Sequence, residues 1–114
     1  MRTDLPTGPA DAPRRGSVAA VAGPTFEWDA AKAAANLLQH GVSFEDAATV
    51  FQDPLAKIHD DPDHSASERR DIIVGHSIQG QLLLVSFTNR GSKLRLISGR
   101  PVTSHERHDY EEAK

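Results

Sequence analysis

The stretch Gln81–Asn89, "QLLLVSFTN", decides the fold. Its apolar run is nearly unbroken, which predicts a central strand covered on both faces. On its N-terminal side, "RRDIIVGHS" (Arg69–Ser77) reads as a second strand, and "IQG" joins the two as a hairpin turn. On its C-terminal side, "NRGS" (Asn89–Ser92) supplies another turn, with Gly91 at a position needing positive φ. "KLRLISGR" (Lys93–Arg100) is the next strand, and Pro101 ends it. Three strands joined by two tight turns make an antiparallel meander.

Upstream, "TFEW" (Thr25–Trp28) is a short strand candidate, and Asp29 is placed to cap the helix "AAKAAANLLQH". Ala33 and Leu37 are expected to face inward, with Ala30 and Val42 beside them, and Gly41 stops the helix in the left-handed conformation. Ser43 caps a second helix, "FEDAATVF", whose buried stripe is Phe44, Ala47, Ala48 and Phe51. Glu45 and Asp46 favour its first turn, and Asp53–Pro54 ends it. "LAKIHDD" is a further strand, running into a loop. Thr103 and Glu106 in "TSHE" form a capping box that opens a last helix through Ala113. The order β-α-α-β-β-β-β-α predicts an α+β fold: two N-terminal helices packed on an antiparallel meander, with a short C-terminal helix.

The chain has 114 residues, room for one modest core. Residues 1–24 hold four prolines, three glycines and few large apolar side chains, so a disordered tail is expected before a folded domain over 25–114. The absence of cysteine excludes disulfides, thiolate metal sites and a cysteine nucleophile, and fits a cytoplasmic protein. No apolar run approaches the roughly 20 residues of a membrane span. The net charge of −3 hides an asymmetry. From Glu27 to Glu68 nine acidic residues stand against Lys32 and Lys57; from Arg69 to Arg107 seven basic residues stand against Asp71 and Glu106. Such a split suggests a basic working face on an acidic body. Plain solvated surface accounts for the counts equally well.

Two chemistries suggest themselves. "HDDPDH" (His59–His64) sets two histidines around three carboxylates, but contiguous ligands on a proline-containing loop rarely converge on one ion, so no metal site is expected. Phosphate chemistry fits better. Arg70, Lys93, Arg95, Arg100 and Arg107 fall on the meander or the last helix, and a guanidinium fork matches phosphate oxygens. Strict alternation would put Arg100 opposite Arg95, unless the chain bends at Gly99 and releases it. His40 ends the first helix, where the dipole favours a positive imidazole. Trp28 reads as core or as an edge plug.

Taken in order, "FEWDAAKAAANLLQHGVSFEDAATVFQDPLA", "DHSASERRDIIVG" and "LLLVSFTNRGSKLRLISGRPVTSHERHDYEE" resemble the BrnT family of bacterial toxins, over residues 26–112. The resemblance implies a compact RelE-like fold and an endoribonuclease that blocks translation without metal or other cofactor. It also implies a cognate BrnA-like antitoxin that is a DNA-binding repressor. His40 matches the family's "KHG"-type element, here "QHG"; Lys32 matches a helix lysine; Arg70 matches the arginine opening a strand. Arg95 and Arg100 match "R-x-I-S-x-R", and Glu106, Arg107 and Tyr110 match the closing block. Gln39, His105 and His108 stand where basic residues are frequent. The implied catalytic set is Arg70, Arg95, Arg100, His40, Glu106 and Tyr110, with Lys32, Lys93 and Arg107 binding RNA. Arginines would hold the phosphorane charge, His40 or Glu106 would act as base, and Tyr110, His40 or Lys32 would serve the leaving oxygen. A non-catalytic module that docks protein or RNA is the alternative from another class.

Overall fold

The computed structural model describes residues 24–61 and 69–112. Apart from Pro24, the expected tail lies outside the described residues, and so does the end of "HDDPDH" beyond Asp61.

Helix α1 (Ala30–His40) forms where expected. The Asp29 carboxylate accepts the Lys32 N–H, and Gly41 ends the helix at φ 70°. Ser43 caps α2 (Phe44–Ala48) by accepting the Asp46 N–H. The predicted helix does not run on through Phe51; it tightens into a 3-10 turn over Thr49–Gln52. Thr49 sits at the change. Its hydroxyl donates to the Asp46 carbonyl at 2.6 Å and accepts the Ile78 N–H at 2.8 Å, tying the turn to a distant hairpin.

The strands are β1 (Thr25–Glu27), β2 (Lys57–Asp60), β3 (Asp71–His76), β4 (Leu82–Arg90) and β5 (Lys93–Pro101). They form one sheet in the order β1-β5-β4-β3-β2, with β4 at its centre. The pairs β2–β3, β3–β4 and β4–β5 are antiparallel, as the meander requires. β1 pairs with β5 in parallel, so the sheet is mixed and not purely antiparallel. β5 ends with Pro101, inside the strand, where β1 no longer pairs with it and no ladder donor is needed.

Helices α1 and α2 cover one face of the sheet. Between them and the sheet pack Val42, Phe44, Ala47, Val50, Ile73, Leu83, Val85, Phe87 and Leu96, all buried. Aromatic edges lock this layer: Phe51 meets Phe87 at 5.0 Å and Phe26 at 5.2 Å, and Trp28 meets Phe44 at 5.8 Å. Trp28 is thus part of the core margin. One expectation fails on α1. Leu37 is 53% exposed and Ala30 is exposed, while Asn36 is the buried residue of the helix. The Asn36 amide donates to the carbonyls of Val42 and Gly99, and its oxygen accepts the Gly99 N–H at 3.1 Å. The helix therefore crosses β5 where the strand has no side chain, and a short polar residue fits there better than leucine.

Helix α3 (Ser104–Glu112) lies against the opposite face. Tyr110 packs there with Val74 and Leu82, bordered by Leu84 and Val102. Among the described residues no other element covers that face.

Candidate functional site

The open face can be read row by row from the pairing register. One row runs Lys57, Val74, Leu84, Arg100 across four strands. The next runs His59, Ile72, Ser86, Ser98. Beyond it Thr88 stands opposite Arg95, which stands opposite Glu27. Arg70, one residue before β3, follows the alternation of Ile72 and Val74 onto the same face.

That Arg95 and Arg100 share a face needs an irregularity. Ser86 pairs with Ser98 and Phe87 with Leu96, which leaves Ile97 as an extra residue in β5. This bulge inverts the alternation after Leu96. Gly99 then faces the helices, where Ala47 approaches the place of a Cβ at 3.2 Å, and Arg100 turns to the open side. The release of Arg100 comes from Ile97, not from a bend at Gly99.

Two confluent hollows follow. One, of about 360 Å³, is lined by Lys57, His59, Ile72, Val74, Leu84 and, from α3, Glu106, Asp109 and Tyr110. The second, of about 250 Å³, opens beside it and is lined by Asp61, Ser86, Ser98 and Arg100, sharing Ile72, Leu84 and Glu106 with the first. Together they form a groove with an aliphatic floor and polar walls, the usual build of a small-ligand site.

Arg100 is held by a two-pronged contact to Glu106, each bond 2.8 Å long. Glu106 also closes the predicted capping box: it accepts the Thr103 N–H at 2.9 Å, and its own N–H donates to the Thr103 hydroxyl. The Arg100 guanidinium, above all, holds the Glu106 carboxyl down to about 2. The same contact raises the Arg100 pKa. Arg95 pairs with Glu27 at 3.3 Å. The Arg70 Nε is buried and meets no acceptor among the described residues. Lys93 is exposed at the end of β5 on the Arg95 side. Arg107, on α3, pairs loosely with Glu111 at 3.9 Å.

Tyr110 is buried, and its hydroxyl donates to the Leu55 carbonyl at 3.3 Å. Burial, aided by Asp53, pushes the phenol above its ordinary range. The structure does not bring His40 and Lys32 into this group. Both lie on α1, across the sheet from Arg70, Arg95 and Arg100.

"HDDPDH" divides between strand and loop. His59 points into the groove, while Asp60 pairs with Arg69. Among the described residues no three histidine or carboxylate side chains gather to hold an ion. No helix among them is long and apolar enough to cross a membrane.

Sequence reasoning missed the groove floor, Ile72 and Leu84, and the pairing of Glu27 with Arg95. The floor was hidden because a strand covered on both faces shows no alternation. The Glu27 contact depends on the parallel register of β1, which no turn announces.

The sequence pattern of the family described as "Ribonuclease toxin, BrnT, of type II toxin-antitoxin system" matches residues 28–106. The match contains Arg70, Arg95, Arg100 and Glu106 and stops inside α3, before Arg107 and Tyr110. The chain is also similar to a solved structure, the Brucella abortus ribonuclease toxin BrnT at 1.1 Å resolution. The TM-score is 0.55 at 25% identity, covering 72% of this chain and 100% of that one. No curated protein matches the chain. A family pattern spanning more than two thirds of the sequence, through every strand but β1, places this chain in the BrnT family of ribonuclease toxins from type II toxin–antitoxin systems.

Proposed function

We propose that the groove on the open face is where this toxin cuts RNA, without metal. One observation carries the reading: Arg95 and Arg100 of β5 and Arg70, just before β3, share one face beside a groove with an aliphatic floor. Guanidinium groups on a rigid sheet suit the charge that develops on a phosphorane and need little rearrangement to stabilise it. The 2′-hydroxyl would attack the adjacent phosphate, giving a 2′,3′-cyclic phosphate and a free 5′-hydroxyl. Lys93 and Arg107 extend the positive surface along the strand end and α3.

Glu106 fits a positioning role better than that of base. A carboxylate held near 2 by Arg100 stays ionised and is a weak proton acceptor at neutral pH. Tyr110 fits a buttress under α3 better than an acid, because its hydroxyl is already donated to Leu55. His40 and Lys32, on the far face, act outside the groove, on a flanking stretch of RNA or on the partner.

The chain adopts, on this reading, a RelE-like fold and works in the cytoplasm, where cleavage stops translation. Family membership supports a protein antitoxin as partner. We infer a BrnA-like DNA-binding repressor that covers the basic face.

The test is RNA cleavage by the full chain in excess EDTA, beside Arg70→Ala and Arg100→Ala. Metal-free cleavage ending in a cyclic phosphate, lost by at least about 100-fold in either variant, is expected. Equal cleavage of DNA, which lacks the 2′-hydroxyl, would sink the scheme. So would activity that appears only on adding metal.

A further inference from the structure

We propose that His59 is the residue that moves the proton in the groove. This rests on the groove being the site of RNA cleavage.

The groove, as described, has charge for the phosphate but lacks a group suited to accept a proton near neutral pH. Its other titratable lining residues are committed. Glu106 is held by Arg100 and by the Thr103 N–H. The Tyr110 hydroxyl donates to Leu55, and Asp109 faces His105 at 3.3 Å. His76, beyond Tyr110, stacks edge-on against that ring at 5.9 Å and lies 3.7 Å from the Asp53 carboxylate. His40 is on the wrong side of the sheet. His59 differs from all of these. It is exposed, lines the groove, and among the described residues its imidazole has no hydrogen-bond or ion-pair partner.

Its surroundings are those a proton-transfer residue needs. Lys57 on β2 and Asp61, just past its end, flank it two residues away, and both line the groove. On β3, Ile72 stands directly opposite, with Val74 on one diagonal and Arg70, just before the strand, on the other. Glu106, Asp109 and Tyr110 face it from α3 across the floor, and Arg100 lies behind Glu106. A phosphate laid over Ile72 and Leu84 would thus have arginine on either side and imidazole at the β2 wall. The neutral ring takes the 2′-hydroxyl proton as that oxygen bonds to phosphorus. The bond from phosphorus to the 5′ oxygen breaks, and that oxygen takes a proton back from the imidazolium or from water. No metal or redox partner enters the balance. The first histidine of "HDDPDH", His59, then belongs to the active centre as a base and not as a ligand.

The experiment measures kcat and KM for RNA cleavage by the full chain in excess EDTA across pH 5 to 9. Wild type is compared with His59→Gln, His59→Ala and Arg100→Ala. His59 is an exposed edge-strand residue, so both His59 variants should melt within a few degrees of wild type; two substitutions guard against one misfolding. The expected result is a fall in kcat of about 100-fold or more at nearly constant KM. The acidic limb of the wild-type pH–rate profile should disappear, and added imidazole should restore part of the activity of His59→Ala. Cleavage within about threefold of wild type in both His59 variants, with the acidic limb intact, overturns the proposal. If Arg100→Ala is then dead, the groove reading stands and the His59 role alone falls. If wild type cleaves no RNA, the reading of the groove falls and takes this role with it.

Discussion

Arg100 on β5 and Glu106 on α3 are joined by two hydrogen bonds of 2.8 Å, six residues apart across the turn that reverses the chain. The pair fixes α3 over the sheet and aims the guanidinium along the open face. It also makes the helix cap and the candidate site one structure, because the same carboxylate accepts the Thr103 N–H.

This pairing predicts acid lability. The Glu106 pKa is lowered in the fold from 4.5 to about 2, so its contribution is complete above about 4.5 and is lost as pH falls toward 2. The full linkage would be about 3 kcal/mol; partial exposure and solvent screening reduce it to about 1–2 kcal/mol. Urea titrations of wild type should lose that much stability between pH 5 and 2.5, and Glu106→Gln should lose less over the same range. Identical acid limbs in the two proteins would show that the pair adds no stability. In the cleavage assay Glu106→Gln should keep the shape of the pH–rate profile while lowering kcat, since it removes an orienting group and no base.

Asn36 carries the contact of α1 with the sheet. Its side chain satisfies the N–H and carbonyl of Gly99 and the carbonyl of Val42, all with α1 as cover. Asn36→Ala leaves these groups buried without partners and should cost about 2–4 kcal/mol. The midpoint of urea unfolding at neutral pH measures it. A shift worth under about 1 kcal/mol would mean that water replaces the amide.

Much of this fold was legible because local rules agreed with each other. Asp29, Gly41, Ser43 and Gly91 mark ends and turns by chemistry that acts within a few residues, and the structure uses each as expected. What stayed hidden depends on distant registers. The parallel pairing of β1 and the extra residue Ile97 arise from how strands meet, and together they decide which arginines share a face. The burial of Asn36 in place of Leu37 stayed hidden for the same reason: nothing near it in sequence says that Gly99 will lie underneath. The candidate site was therefore legible as a set of residue types, but which of them share a face was not. His40 and Lys32 fall on the helix side, while His59 enters the groove.

Gly75 marks a close approach on β3. A Cβ there would lie 2.8 Å from the Ala56 side chain and 3.0 Å from the Asp53 carboxylate. Asp53 accepts the N–H groups of His76 and Leu55, which, with the former leading, lowers its pKa. Gly75→Ala must push this turn away and should destabilise the domain by about 1–3 kcal/mol. A thermal melt reads the loss. An unchanged melting temperature would show that the Ala56 turn yields freely.

Tyr110 separates a buttress from an acid. Its ring lies between Val74 and Leu82 on one side and the His76 ring on the other, with the Lys57 ammonium 5.8 Å from its centroid. Tyr110→Phe keeps this packing and removes the donor to the Leu55 carbonyl, at a cost of about 1 kcal/mol. If the phenol only supports α3, kcat for RNA cleavage should stay within about threefold and the alkaline side of the pH–rate profile should not move. A fall of 100-fold with an intact melt would instead make Tyr110 the acid that protonates the 5′ oxygen. The hydroxyl would then have to leave Leu55 when RNA binds. Its raised pKa argues that it keeps its proton at neutral pH, which either role allows, so the rate and not the titration decides.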